Sequence, residues 1–169
     1  MVKGKGKRVK MWFFVLILAA VGCYAVASKQ GVFGSNLTPE LESLIVSKAK
    51  EWKLSPALVK AHARVESNFN PAAKNPSDPS YGLMQITPAL AYDYGLIVHY
   101  KSLSQYEIDR IMDVKNNLNV ACWFIRNLRV KYTFDEAVQM YNVGEAGYNK
   151  GIRNLTYLEK VKRWYDEYS

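Results

Sequence analysis

From Thr38 onward the chain carries one helix-start signal after another, and this repetition restricts the fold more than any other feature. Thr38-Pro39, Ser55-Pro56 and Thr87-Pro88 each put a hydroxyl at an N-cap and a proline at the first helical position, where a missing N–H costs nothing. Ser104 with Glu107, Thr133 with Glu136, and Thr156 with Glu159 read as capping boxes. Leu41, Leu44, Ile45 and Trp52 form one apolar stripe at helical spacing, and Leu58, Ala61, His62 and Val65 form a second. The longest helix is expected from about Asp113 to Tyr132, with Val114, Leu118, Ala121, Ile125 and Leu128 on one face. Alternation is scarce, and GLIVHY from Gly95 to Tyr100 is the best short-strand candidate. The expected fold is mainly α: a globule of about seven helices with a minimal β element.

The chain has 169 residues. Without its N-terminal appendage it keeps about 130, the size of one domain with one core. Its formal net charge is +8, and Lys3, Lys5, Lys7, Arg8 and Lys10 carry five of those charges in the first ten residues. The globular part is therefore nearly balanced, whereas nucleic-acid binding calls for a basic face on the folded domain, so no nucleic-acid partner is expected. Cys23 and Cys122 lie far apart with no Cys/His spacing around them. They read as buried apolar residues, with neither a disulfide framework nor a zinc site.

After the basic tail of residues 1 to 10, residues 11 to 27 read MWFFVLILAAVGCYAVA and carry no charge. Basic-then-apolar order is a membrane-directed signal, and the positive cluster stays on the cytoplasmic side. Three fates compete: an uncleaved transmembrane anchor, cleavage after Ala25-Val26-Ala27, and lipidation at Cys23. The anchor is favoured, because Trp12, Phe13 and Phe14 make the run bulky and Tyr24 and Val26 extend it. Residues 28 to 37 form a Gly/Ser-containing linker that reaches at most about 35 Å when extended, which keeps the domain of residues 38 to 169 close to the membrane. Under each fate that domain is extracytoplasmic.

The chemistry centres on Glu66. Its segment ends at Asn70-Pro71, which leaves Glu66 in the last turn of a helix and beside an apolar stripe. The negative end of the helix dipole and apolar neighbours both disfavour the carboxylate form. A carboxyl group kept protonated near neutral pH can act as general acid on a glycosidic oxygen. A lone helical Glu is ordinarily a solvated surface residue, so its context has to decide.

That context is Glu66-Ser67, Phe69-Asn70-Pro71 and then Tyr81-Gly82-Leu83-Met84-Gln85-Ile86. Downstream come Asn117-Leu118-Asn119-Val120-Ala121, Tyr141-Asn142-x-Gly144 and Thr156-Tyr157-x-x-x-Val161. These four motifs, in this order, resemble the soluble lytic transglycosylase family, whose lysozyme-like helical domain cuts the glycan strands of peptidoglycan. Two departures stand out: Ala121 takes a position where the family usually has Gly, and Pro79-Ser80 replaces a common Gly-Ala pair. The resemblance makes Glu66 the sole acid and base, acting without metal or cofactor. It makes Ser67, Met84, Gln85, Tyr141, Asn142 and Tyr157 the substrate-binding set, and the glycan strand the partner. Gln85 and Asn142 offer hydrogen bonds to acetamido groups, and Tyr141 and Tyr157 offer a hydroxyl and a ring. Ser67 either bonds near the acid or only ends the helix, Met84 reads as wall, and either Ser77 or Ser80 is the loop serine that would support the acid.

The nearest other acids, Asp78 and Asp93, sit in no recognisable catalytic context. One carboxyl suffices when the 6-hydroxyl of the muramic sugar itself attacks, giving a 1,6-anhydro end. A lysozyme-like hydrolase using water and an inactive glycan-binding protein of the same fold are the alternatives. His62 lies four residues before Glu66 on one helical face, the spacing of a metal pair, but His99 would have to supply a third ligand from afar. His62 is read instead as a core or rim histidine.

Overall fold

A computed structural model describes residues 36–169. The basic tail, the apolar run of residues 11 to 27, Cys23 and the linker up to residue 35 lie outside the described residues. No helix among the described residues is long and apolar enough to cross a membrane.

Eight helices and one small hairpin make up the described residues. They are α1 (Pro39–Glu51), α2 (Pro56–Ser67), β1 (Lys74–Asn75), β2 (Ser80–Tyr81), α3 (Pro88–Asp93), α4 (Gln105–Met112), α5 (Val114–Lys131), α6 (Phe134–Val143), α7 (Glu145–Asn149) and α8 (Leu155–Tyr168). The local start signals account for most of these boundaries. Thr38 and Thr87 cap α1 and α3 through their hydroxyls, and Ser104 and Glu107 close a full capping box on α4. Ser55 stands at the N-cap of α2 without a side-chain bond.

Two expectations need correction. The segment from Gly95 to Tyr100 is not a strand. Leu96 and Ile97 are buried while Val98 is 73 % exposed, so the apolar run fills the edge of the core and meets no partner strand. The hairpin lies in the polar segment from Lys74 to Tyr81 instead, with Lys74 paired to Tyr81 and Asn75 to Ser80. The Asn75 side chain accepts the backbone N–H groups of Ser77 at 3.2 Å and Asp78 at 3.4 Å, which supports the turn. Second, Thr156 does not cap the last helix. Asn154 does, accepting the Tyr157 N–H at 3.0 Å, which starts α8 earlier and puts Tyr157 in its first turn.

α2 and α8 form the most extensive helix pair, and α5 and the segment from Phe69 to Ile86 close around them. Ile45, Val59, Ala61, Phe69, Leu83, Met84, Ile86, Leu118, Ala121 and Val161 are fully enclosed. At this centre sits one polar side chain, Asn117 on α5, with no exposed surface. Its Oδ1 accepts the Met84 N–H at 2.8 Å, and its Nδ2 donates to the carbonyls of Tyr81 at 2.8 Å and Ile111 at 2.9 Å. The Gly82 backbone passes so close that a Cβ there would come within 2.6 Å of Asn117 Nδ2, and its φ of +77° also requires glycine. Asn117 thus supplies hydrogen bonds to a loop that forms no regular ladder of its own.

Asn117→Leu keeps the volume but removes three side-chain hydrogen bonds to buried backbone, and the Met84 N–H loses its partner. It is expected to reduce the unfolding free energy by about 3 kcal/mol or more in urea denaturation. A loss below about 1 kcal/mol would show that the loop is held by other contacts.

Candidate active site

Glu66 is the penultimate residue of α2. The helix ends because Asn68 takes the left-handed conformation at φ 53° and Phe69 follows at φ 61°, sending the chain back under the core. Glu66 is half-buried. Its Oε1 accepts a hydrogen bond from the Tyr157 hydroxyl at 2.5 Å, across 91 residues of sequence. Oε2 has no hydrogen-bond partner among the described residues. Burial pushes the Glu66 carboxyl up to about 7, against a smaller downward pull from Tyr157. The position at the negative end of α2 acts in the same direction as burial.

Behind this pair stands His62, one helical turn earlier and 1 % exposed. Its Nδ1 lies 2.9 Å from the Tyr157 hydroxyl, and its ring packs on Tyr141 with centroids 4.5 Å apart. Burial pushes its pKa down to about 3, which favours the neutral ring near neutral pH. Burial also holds the hydroxyls of Tyr141 and Tyr157 well above their ordinary range, and the Glu66 charge adds to this.

The other residues singled out in the sequence fall into two groups. Ser67, Met84, Gln85 and Tyr141 build the loop beside the acid. Ser67 Oγ donates to the Leu83 carbonyl at 2.7 Å and accepts the Asn70 N–H at 3.1 Å, tying the end of α2 to the loop. Tyr141 donates to the Met84 carbonyl at 2.8 Å, and the Met84 side chain is fully buried. Gln85 takes a φ of +49°, and its amide accepts from Ser80 Oγ at 2.8 Å and donates to the Gly82 carbonyl at 2.9 Å. Of the two loop serines, Ser80 is therefore packed against Gln85 while Ser77 is exposed. Asn142 forms the second group by itself: it is exposed, and its Oδ1 accepts from Asn154 at 2.8 Å.

Three contributors were not assigned site roles by sequence reasoning. Asn117 appeared only as a motif letter, yet it fixes the backbone at Tyr81 and Met84. His62 looked like an ordinary core residue, and its spacing from Glu66 was the one available signal. Asn154, two residues before the supposed cap Thr156, sets the start of α8 and with it the placement of Tyr157. His62 and Glu66 meet through a shared tyrosine, while His99 is exposed and lies against Glu107 with Nδ1 at 3.5 Å.

Among the described residues, no second carboxylate enters the electrostatics of Glu66, which burial and Tyr157 set between them. Other acids are engaged locally: Glu107 in its capping box, Glu136 with Thr133, and Glu145 with the Tyr132 hydroxyl. The site is thus a single carboxyl with a raised pKa, one oxygen held and the other unpartnered, beside a loop fixed from three helices. Such a group can give up a proton near neutral pH and take one back.

A family model described as "Transglycosylase SLT domain" matches residues 43–163, more than half of the chain. Among solved structures, the chain is similar to an inactive mutant of lytic transglycosylase Slt from Pseudomonas aeruginosa, with a TM-score of 0.57 and 18% identity. The match covers 75% of this chain and 23% of that one, and at this identity it bears on the fold alone. No curated protein sequence matches the chain.

A raised carboxyl pKa has a stability consequence of definite sign. The folded state holds the Glu66 proton more tightly than the unfolded state, whose carboxyl has the ordinary value of 4.5. The wild type therefore loses stability as pH rises through the window from about 4.5 to about 7. Glu66→Gln removes this titration, so the variant should melt above the wild type at alkaline pH, by up to about 3 kcal/mol in unfolding free energy. The gap should narrow below pH of about 4.5. A pH-independent gap would mean that the carboxyl is not perturbed.

Proposed function

The chain belongs to the transglycosylase SLT domain family, whose lysozyme-like fold it shares, and from that premise we propose that it is a peptidoglycan lytic transglycosylase with Glu66 as sole acid and base. The observation that carries this reading is the lone carboxyl with one free oxygen: Tyr157 holds Oε1, which leaves Oε2 for the substrate. A two-carboxylate glycosidase needs its second acid at a fixed separation across the sugar. Here, among the described residues, no second acid perturbs Glu66.

The reaction proceeds in two halves at the bond between N-acetylmuramic acid and N-acetylglucosamine. Glu66 Oε2 donates its proton to the glycosidic oxygen as the bond to C1 breaks, and the substrate's acetamido group stabilises the cation. The carboxylate then accepts the proton of the muramic 6-hydroxyl while O6 bonds to C1. Glu66 ends as it began, protonated, and no water is consumed. The product carries a 1,6-anhydromuramic end. Tyr157 keeps the carboxyl oriented through both halves, and the loop from Tyr81 to Ile86 forms the wall beside it.

Its N-terminal sequence suits this substrate. Residues 1 to 27 carry the basic-then-apolar pattern of a membrane-directed segment, and an anchor there would set the domain on the outer side of a membrane, where peptidoglycan lies.

Two experiments test the reading. Sacculi digested with the full chain should release fragments whose ends weigh one water less than reducing ends. Reducing ends would identify a hydrolase, and no release at all a binding protein. Glu66→Gln should lower the rate on the order of a hundredfold to ten-thousandfold while the fold persists. The rate should also fall as pH rises past about 7, because the acid must be protonated at the outset. Tyr157→Phe removes the bond that lowers the Glu66 pKa, so the upper pH limit should move upward as kcat drops.

A further inference from the structure

We propose that His62 is a positioning residue: its Nδ1–H donates to the Tyr157 oxygen and so turns the single Tyr157 proton toward Glu66 Oε1. This deepens the reading of Glu66 as acid and base by assigning a role to a buried group that the reaction itself does not touch.

The protons available to this cluster fix their own placement. The Tyr157 oxygen lies 2.9 Å from His62 Nδ1 and 2.5 Å from Glu66 Oε1, both hydrogen-bonding distances. A phenol has one proton to give and lone pairs to accept with, while an ionised carboxylate has nothing to give. Once Glu66 is ionised, the proton between Tyr157 and Glu66 must come from Tyr157. The contact with His62 then needs a proton from Nδ1.

His62 is neutral and has one N–H to place, so its tautomer is fixed at Nδ1. The other tautomer would turn a bare nitrogen toward Tyr157. Tyr157 would then donate either to His62, leaving a half-buried carboxylate unpaired, or to Glu66, leaving two lone pairs face to face. The ring has little freedom to escape this choice, being buried and packed against Tyr141 and Tyr157, with centroids at 4.5 and 6.0 Å.

The groups facing this cluster do not compete for charge. Tyr141 from α6 and Tyr157 from α8 are held neutral by burial, and the Cys122 thiol of α5, which interacts with Tyr141, is pushed up to about 12. Glu66 is thus the one member that titrates near neutrality. A donor aimed permanently at Oε1 stabilises the carboxylate formed between the two halves of the reaction. It also keeps the transferable proton on Oε2.

The tautomer can be read without substrate, so this proposal stands or falls separately from glycan cleavage. The chain has two histidines, His62 and His99, and His99→Gln leaves the His62 signals alone in the spectrum. Nitrogen NMR of the full chain with labelled histidine, at alkaline pH, should show a protonated Nδ1 and a bare Nε2 for His62. A protonated Nε2 with a bare Nδ1 overturns the proposal.

Kinetics give a second readout. His62→Leu removes the donor and should raise the upper pH limit of cleavage as Tyr157→Phe does. It should also lower kcat by on the order of tenfold, with KM changed less than about twofold. His62→Asn keeps an N–H near the Nδ1 position and should restore the wild-type pH limit. His62→Leu should have no further effect in a Tyr157→Phe background. Equal losses in the Leu and Asn variants with an unmoved pH limit would mean that His62 only fills space.

Discussion

The site depends on one hydrogen bond, from the Tyr157 hydroxyl to Glu66 Oε1. It joins the last turn of α2 to the first turn of α8, the two helices that pack most extensively against each other. A carboxyl at the negative end of a helix, in apolar surroundings, would otherwise be at odds with its position. Burial raises its pKa to about 7, and the tyrosine offsets part of that rise. The outcome is a group that can hold or release a proton near neutrality. Packing of α2 on α8 thus sets both the geometry of the acid and its charge.

The second constraint is the loop from Tyr81 to Ile86, whose ends pair with each other while the backbone between them depends largely on side chains. Asn117 accepts from Met84 and donates to Tyr81, Tyr141 donates to the Met84 carbonyl, and Ser67 donates to the Leu83 carbonyl. Three helices therefore hold the loop beside Glu66. Most of the polar residues in the sequence motifs act on this backbone, and their hydrogen bonds are spent inside the protein. Gln85 is one example, its amide shared between Ser80 and Gly82. Glu66 Oε2 differs in having no partner among the described residues.

Much of the helical scaffold was legible because caps are local chemistry. Thr38, Thr87 and Ser104 each act within one turn of their own position, so neighbouring residues suffice to find them. Features set by distant residues were harder to read. The run from Gly95 to Tyr100 has strand composition, but it pairs with no strand among the described residues. The actual hairpin forms in a polar stretch held by an Asn75 turn, where no hydrophobic period marks it. Thr156 matched a capping box, yet Asn154 took the cap, a competition between two good candidates that sequence alone does not settle. Glu66 was found because its motif neighbours follow it in order. A histidine on an apolar face is usually core, and His62 is core; its bond to Tyr157 exists only once α8 has folded against α2.

The proposed role of Glu66 requires that the fold keep it protonated up to the neutral range. Its most direct test is a carbon NMR titration of the Glu66 carboxyl in the full chain, assigned by comparison with Glu66→Gln. The account requires a midpoint near 7, moving higher in Tyr157→Phe. A midpoint at the ordinary 4.5 or below would contradict it, and with it the assignment of Glu66 as the proton donor.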